Sequence, residues 1–479
     1  MGFRRIGTAA TAVAGLAAAA LLLTACGGSS SGGSGGTSAS APAGSAKPVG
    51  TAPSGGPGAT VDDFNTMCAQ LQQFGDIKGK TVRVYTGIVA PEDALYQKAF
   101  DAYTQCTGAK VQYEGDKSFE AQVLVRVKAG AAPSIAIVPQ PGLLKQLVAT
   151  GKAVEAPKAT ADNVDKYFGE SWKALGSVDG KFYAGPNSAN VKSLVWYSPK
   201  TFADNGWAVP TTLDELKTLS DKIVASGKMK PWCAGIGSGD ATGWPVTDWM
   251  EDMMLRLYGA DTYDKWVNHT IPFNGPESTA ALDAVGAYLK NDAYVNGGYG
   301  NVKSIATTTF QNGGLPILTN KCAMHRQANF YATIWPKGTT VAADGAVYAF
   351  YFPNKDVTSK PVLGGGEFML AFSDKPEVQA FQTFIATPYY ANLRAQDASD
   401  SGGFVSANKG LLATSLKTPI DKLTAAILQD PKAVFRFDGS DQMPGPVGSG
   451  SFWTQATAWI TGQSTKDTVD KIEASWPKS

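Results

Sequence analysis

Between about residues 81 and 150 the chain alternates short β-branched runs with longer amphipathic ones, and this alternation narrows the fold more than any other feature. Thr81 to Tyr85 places Val82 and Val84 on one face, the period of a half-buried strand. From about Pro91, Leu95, Ala99, Ala102, Tyr103 and Cys106 fall on one side at helical spacing, and Thr107-Gly108 stops the run. Lys110 to Glu114 predicts a second strand and about Ser118 to Lys128 a second helix. Ser134 to Val138 predicts a third, short strand, followed by a helix over about Gly142 to Thr150. A β-α-β-α-β-α order implies a mainly parallel sheet with helices on both faces. Ligands of such sheets sit beyond the carboxyl ends of the strands. Those ends are Thr86-Gly87-Ile88, Glu114-Gly115-Asp116 and Pro139-Gln140-Pro141.

A second α/β section begins near Lys192, with a strand over Ser193 to Tyr197. A helix over about Thr212 to Ala225 puts Leu213, Leu216, Leu219 and Ile223 on one face, with Thr212 and Glu215 at capping-box spacing. Further helices are predicted over about Asp248 to Tyr258, Thr279 to Lys290 and Thr465 to Ser475. At 479 residues the chain suits two or three domains.

The N-terminus reads as an export address. Arg4 and Arg5 precede an apolar run from Ala9 to Leu23, and Leu23-Thr24-Ala25-Cys26 follows. The run is short and alanine-rich for a transmembrane helix. The LTAC string resembles a bacterial lipobox, which implies cleavage of residues 1–25 and acylation of Cys26. Residues 27 to 60 are nearly all Gly, Ser, Ala, Thr and Pro, with Lys47 the only charge. Such composition predicts a flexible tether with a mean reach of roughly 30 Å.

The formal net charge is +1, which gives no electrostatic reason to expect nucleic acid. Only 2 His are present, so a multi-histidine metal site is disfavoured. Cys68, Cys106, Cys233 and Cys322 are an even set in an exported chain, which favours disulfides over zinc, since no C-x-x-C spacing occurs. Three pairings are open, and proximity favours Cys68 with Cys106 and Cys233 with Cys322. No Walker loop or nucleophile elbow is present, and no metal or cofactor is expected. Glu251 and Asp252, being adjacent on a helix, diverge by about 100° and cannot face one site as a glycosidase pair. Asp438 and Asp441 read as turn residues, and His269 as a residue at a helix end.

Aromatic rings set among turn formers stand out instead: Thr242-Gly243-Trp244-Pro245, Phe435-Arg436-Phe437-Asp438 and Ser451-Phe452-Trp453. Sugars have apolar C–H faces and polar rims, so a sugar site wants flat rings with amide or charged groups at their edges.

The strings ANVKSLVWY, TGWPVTDWMED, PWCAGI, WVNHTIPFN, HRQANF, FRFDGSDQMP and VPQPGLL resemble the solute-binding proteins of carbohydrate ABC importers. The group is the maltose-binding-protein-like one, and the likeness is greatest to its α-glucoside-binding branch. It covers nearly all of 78 to 479. The resemblance implies a two-lobed periplasmic-binding-protein fold with a ligand cleft between α/β lobes. Three crossings are implied, near Ser188 to Lys192, Val362 to Glu367 and Phe404 to Asn408. The first lobe would hold 61–190 and 364–405, the second 191–363 and 406–479, after a leader over 1–25 and an anchored tether over 26–60. Each favoured cysteine pair then falls within one lobe. The glycine run Gly364 to Gly366 suits a crossing, by allowing unusual angles and close approach to ligand.

Sugar-binding roles are implied for Asn190, Asp240, Thr242, Trp244, Glu367, Gln140 and Trp453. Gly115, Ser118, Phe119, Arg326, Gln327 and Gly365 are expected to line the cleft. Relatives often carry an arginine where this chain has Ser188. The expected ligand is an α-glucoside such as trehalose, maltose or sucrose, delivered to an importer permease by a lipid-anchored monomer at the outer face of the membrane, with no catalysis. The alternatives are another oligosaccharide, or a secreted carbohydrate-active enzyme.

Overall fold

The computed structural model describes residues 48–52, 55–397, 400 and 402–478. The leader, Cys26 and the tether up to residue 47 lie outside the described residues. The predicted strands form as β1 (Thr81–Thr86), β2 (Lys110–Gly115) and β3 (Ile135–Val138). β1 pairs in parallel with both, Val84 lying opposite Tyr113 and Ile135. Helices Asp93–Thr107, Phe119–Lys128 and Pro141–Ala149 intervene and follow. The first buries Tyr96, Ala99, Phe100, Ala102, Tyr103 and Cys106, and stops at Gly108 with a φ of 71°.

A small hairpin comes next, β4 (Ser177–Val178) and β5 (Lys181–Phe182), then β6 (Ala184–Val191), β7 (Leu194–Tyr197) and β8 (Lys230–Trp232). The last strands are β9 (Cys322–Arg326), β10 (Tyr348–Tyr351), β11 (Lys360–Ala371) and β12 (Ala433–Phe437). Two main sheets result. The larger runs β12-β11-β3-β1-β2, with β6 also on β11, and the smaller runs β10-β7-β9-β8.

Parallel order holds for β2-β1-β3 and for β11-β12. It fails at β11, which runs antiparallel to both β3 and β6. The long β11 meets β12 through residues 360–364 and β3 through 368–371, so the sheet continues through this strand. A third segment joins the pair, where the Ala189 N–H donates to the Val405 carbonyl at 3.0 Å. These three passes lie side by side.

Each sheet has its own core. Val82, Val84, Ile135 and Ile137 pack on Phe100, Tyr103, Phe381 and Phe384, while Val138, Phe119, Leu144 and Phe368 fill the opposite face. Trp232, Trp249, Met250, Leu216 and Ile223 pack beside the smaller sheet. Cys68 and Cys106 are joined, as are Cys233 and Cys322. Low-complexity residues just before residue 60 are held on the body. The Gly50 N–H donates to the Gln105 carbonyl at 2.7 Å, and the Pro57 carbonyl accepts from the Ser415 hydroxyl at 2.7 Å. Among the described residues no helix is long and apolar enough to cross a membrane.

His269 lies just past the helix Trp244–Val267, paired with Glu473 at 3.0 Å and stacked on Trp476. His325, on β9, is 2% exposed, with Nδ1 2.9 Å from the Cys233 carbonyl. Burial pushes its imidazole down to about 4, against the pull of that carbonyl. Between about pH 4 and 6.5 the unfolded chain therefore takes up a proton that the folded chain refuses, so stability is lost as pH falls. From about pH 7 to pH 5 this group alone should remove roughly 2 kcal/mol. Denaturant titrations at both pH values should show that much less acid loss in His325→Gln than in the parent. An equal loss would show that His325 is not responsible.

Candidate functional site

A cavity of about 240 Å³ opens between the strand ends of the larger sheet and the start of the helix Trp244–Val267. This is slightly below the roughly 300–1,000 Å³ of drug-sized pockets, a scale that suits a small ligand. The loop Thr86 to Glu92 after β1 and Pro139-Gln140 after β3 supply one wall. Asn190 and Lys192 at the end of β6 and Gly365, Gly366 and Glu367 of β11 form its base. Gly237 to Gly239, Ala241, Trp244, Phe310, Phe330 and Trp453 face them, and Asp438, Ser440 and Asp441 close one side.

The rule of strand ends thus holds for β1 and β3. For the edge strand β2 it holds only through Lys117, since Gly115 and Asp116 lie outside the lining and Asp116 turns back to accept from the Tyr85 hydroxyl at 2.9 Å. The glycine run is explained by crowding. A Cβ on Gly364 would fall 2.1 Å from the Phe435 ring, and one on Gly366 would fall 2.4 Å from the Ser188 carbonyl. None of the three has a positive φ, so unusual angles play no part.

Gln140, Asn190, Trp244, Gly365, Glu367 and Trp453 line the cavity. The other expected residues lie outside the lining. Phe119 is buried in the core, its ring 5.0 Å from that of Tyr85. Ser118 precedes that helix and its N–H donates to Asp116, while Gly115 ends β2. Arg326 is drawn under the site by Asp252, at 2.5 Å. The Gln327 side chain accepts from the Ala328 N–H, leaving the segment to reach the cavity through Phe330 and Ile334. Asp240 is exposed, and the Thr242 hydroxyl donates to the Gly239 carbonyl at 2.6 Å.

The two tryptophans are set by one glycine. Gly243, with a φ of 117°, precedes the helix, and a Cβ there would fall 2.1 Å from the Trp453 carbonyl. Trp244 packs edge-on to Phe310 at 5.1 Å, and Lys192 Nζ lies 5.5 Å from its ring centre. Trp453 opens the helix Trp453–Thr461 and is buried beside Phe452, Ala456 and Trp459. Its Nε1–H is buried and has no hydrogen-bond partner among the described residues, and the same is true of Gln140 Oε1.

Sequence reasoning missed the ion cluster beneath. Lys192 Nζ donates to Asp248 at 3.0 Å and to Asp438 at 2.5 Å, with Asp441 at 4.0 Å. Asp438 also caps its turn, as expected of it, accepting from the Asp441 N–H at 2.8 Å. Glu251 accepts from the backbone of Gly439 and Ser440, whereas Asp252 turns to Arg256, Arg326 and Ser193. The two adjacent carboxylates do diverge. Burial drives the Asp248 and Glu251 carboxyls up, and the neighbouring charge of Asp438 adds to the rise, while Lys192 relieves it in part. Burial also pushes Asp438 up, but the charge of Lys192 and the hydrogen bonds from Lys192, Asp248 and the Asp441 N–H together outweigh it and hold that group down. Oxygens of Asp248, Glu251 and Asp438 lie within 4.8 Å of one another, the spacing of a metal site, but the Lys192 ammonium already supplies the positive charge there.

A sequence model of the family described as "Bacterial extracellular solute-binding protein" matches residues 88–392. The alpha-glucosides-binding periplasmic protein AglE of Rhizobium meliloti is 37% identical over 430 residues, covering 87% of this chain and 92% of that protein. The osmoprotective compounds-binding protein GgtB of Synechocystis sp. is 35% identical over 417 residues, covering 86% and 96%. Among solved structures, a chitin oligosaccharide binding protein superposes with a TM-score of 0.69 at 18% identity, over 83% of this chain and 98% of that one. Maltose-bound MalE3 of T. maritima gives 0.64 at 14% identity, over 83% and 98%. The fold is the two-lobed α/β fold of these binding proteins.

Proposed function

This chain belongs to the bacterial extracellular solute-binding proteins, and from that premise we propose that it captures an α-glucoside of the trehalose, maltose or sucrose type and hands it to the permease of an ABC importer. The observation that carries this reading is the pair of unpartnered buried polar atoms, Gln140 Oε1 and Trp453 Nε1, in a cavity walled by Trp244, Phe310 and Phe330. A polar atom buried without a partner costs about 1–3 kcal/mol, and a ligand bearing hydroxyls removes that cost. Rings take the C–H faces of the sugar, and Asn190, Glu367 and Asp441 take its rim. AglE, by its name an α-glucoside binder, supports the choice of sugar.

The lobes meet at the three adjacent passes of β6, β11 and the Val405 segment. Their boundaries follow the division 61–190 with 364–405 and 191–363 with 406–479. Sugar touching both walls favours the closed lobes, which the permease then recognises. On this reading the LTAC string supports acylation at Cys26, which holds the protein, taken as a monomer, at the outer face of the membrane. A glycosidase reading is disfavoured by Asp438, whose oxygens are occupied by Lys192, Ser440 and the Asp441 N–H. Incubation with labelled trehalose, maltose and sucrose should leave intact disaccharide retained on the protein. Released glucose in amounts matching the protein or more would overturn the reading.

A further inference from the structure

We propose that the cavity sorts glycosides by charge, taking an amine-bearing glycoside over its neutral parent and refusing the corresponding acid, with Glu367 setting the preference. The inference rests on the sugar-binding reading and narrows its ligand class. Glu92, Glu120 and Glu367 face the cavity, and none makes an ion pair among the described residues. The cations nearby offset them only in part: Arg394 pulls the Glu92 and Glu367 carboxyls down, but burial outweighs it. Lys192 is committed to Asp248 and Asp438. Arg394 is buried behind the wall, 4.4 Å from the Tyr96 ring centre and 4.8 Å from that of Phe404. Lys117, at the rim, is exposed.

Hydrogen-bonding capacity points the same way. Gln140 donates its Nε2 to Glu120 at 3.4 Å, so it offers the ligand an unpartnered acceptor. Glu367 already accepts from the Ser188 hydroxyl and, with Glu92, adds acceptors. Against these stands one unpartnered buried donor, Trp453 Nε1. A site rich in acceptors wants a ligand that donates. An ammonium donates three hydrogens and accepts none, a hydroxyl does both, and a carboxylate only accepts. The wall also resists its own charge. Burial, and after it the neighbouring charge of Glu92, push the Glu367 carboxyl up to about 8. A ligand cation relieves that repulsion, and a ligand anion adds to it.

The test is a calorimetric series on one skeleton, with α,α-trehalose, its 6-amino-6-deoxy derivative and its 6-carboxylic acid titrated into the full-length protein. Like charges brought together at a binding site cost several kcal/mol, so the amine is expected to bind about tenfold tighter than trehalose and the acid at least about 30-fold weaker. Glu367→Gln should shrink the amine-to-acid ratio by about tenfold, whatever it costs in affinity for trehalose itself. An acid within threefold of trehalose overturns the proposal and leaves the receptor reading standing. A refusal of the acid that Glu367→Gln does not change is steric, and overturns it too. If none of the three binds, trehalose included, this proposal falls together with the trehalose reading.

Discussion

Lys192→Met is expected to lower the unfolding free energy by about 3–5 kcal/mol, the cost of removing one partner from a buried ion pair. The side chain is 9% exposed and its two closest carboxylates are each 1% exposed, so water replaces the lost ammonium poorly. Without it, Asp248 and Asp438 face one another beside Glu251 with no ammonium between them. Arg326 remains 3.8 Å from Asp248 but is already spent on Asp252. The sign of the pH dependence separates this account from simple loss of packing. In the parent Asp438 is held below its ordinary value, so its contribution is present at neutral pH and lost only in acid. In the variant its carboxyl rises, the folded form takes up a proton earlier, and the gap to the parent should narrow as pH falls from about 8 to 5. Adding Asp438→Asn should restore part of the stability. A gap that stays constant with pH, and is not narrowed by Asp438→Asn, would show that the lysine matters only as a space-filler.

Trp453→Ala is expected to weaken sugar binding by roughly 5- to 150-fold, the effect of losing about 1–3 kcal/mol of ring stacking. The ring lines the cavity and is only 3% exposed. Truncating so buried a ring should also cost about 3–5 kcal/mol of fold stability, so affinity is measured well below the melting transition. Trp453→Phe keeps a ring and removes the N–H, and should fall between, costing about 0.5–1.5 kcal/mol for one hydrogen bond. A lowered melting temperature with unchanged affinity would take Trp453 out of the site.

What could be read ahead was what is local. The period of Thr81 to Tyr85, the helical face of Ala99, Tyr103 and Cys106, and the stop at Gly108 depend on near neighbours, and all appear. Within the site, Gln140 was legible because it follows a strand. Trp244 and Trp453 were legible because each follows a run of turn formers. The ion cluster was not. Lys192 meets Asp248 across 56 positions and Asp438 across 246, and no periodicity links them. Asp438 read as a turn residue and is one, but the same carboxylate also holds the lysine. Arg326 and Gln327 look available in sequence, yet their position on and just after β9 turns them toward Asp252 and Ala328. Parallel pairing also failed where the chain returns, because β11 arrives from the other sheet and must run against β3.

A sugar site in the cavity between the strand ends of the larger sheet and the helix Trp244–Val267 must bind sugar saturably. Calorimetric titration of the full-length protein with trehalose, maltose and sucrose tests it most directly. Saturable one-to-one binding of at least one of the three, weakened in Trp453→Ala, is the expected result. Absence of binding by all three to a protein that melts cooperatively would contradict it.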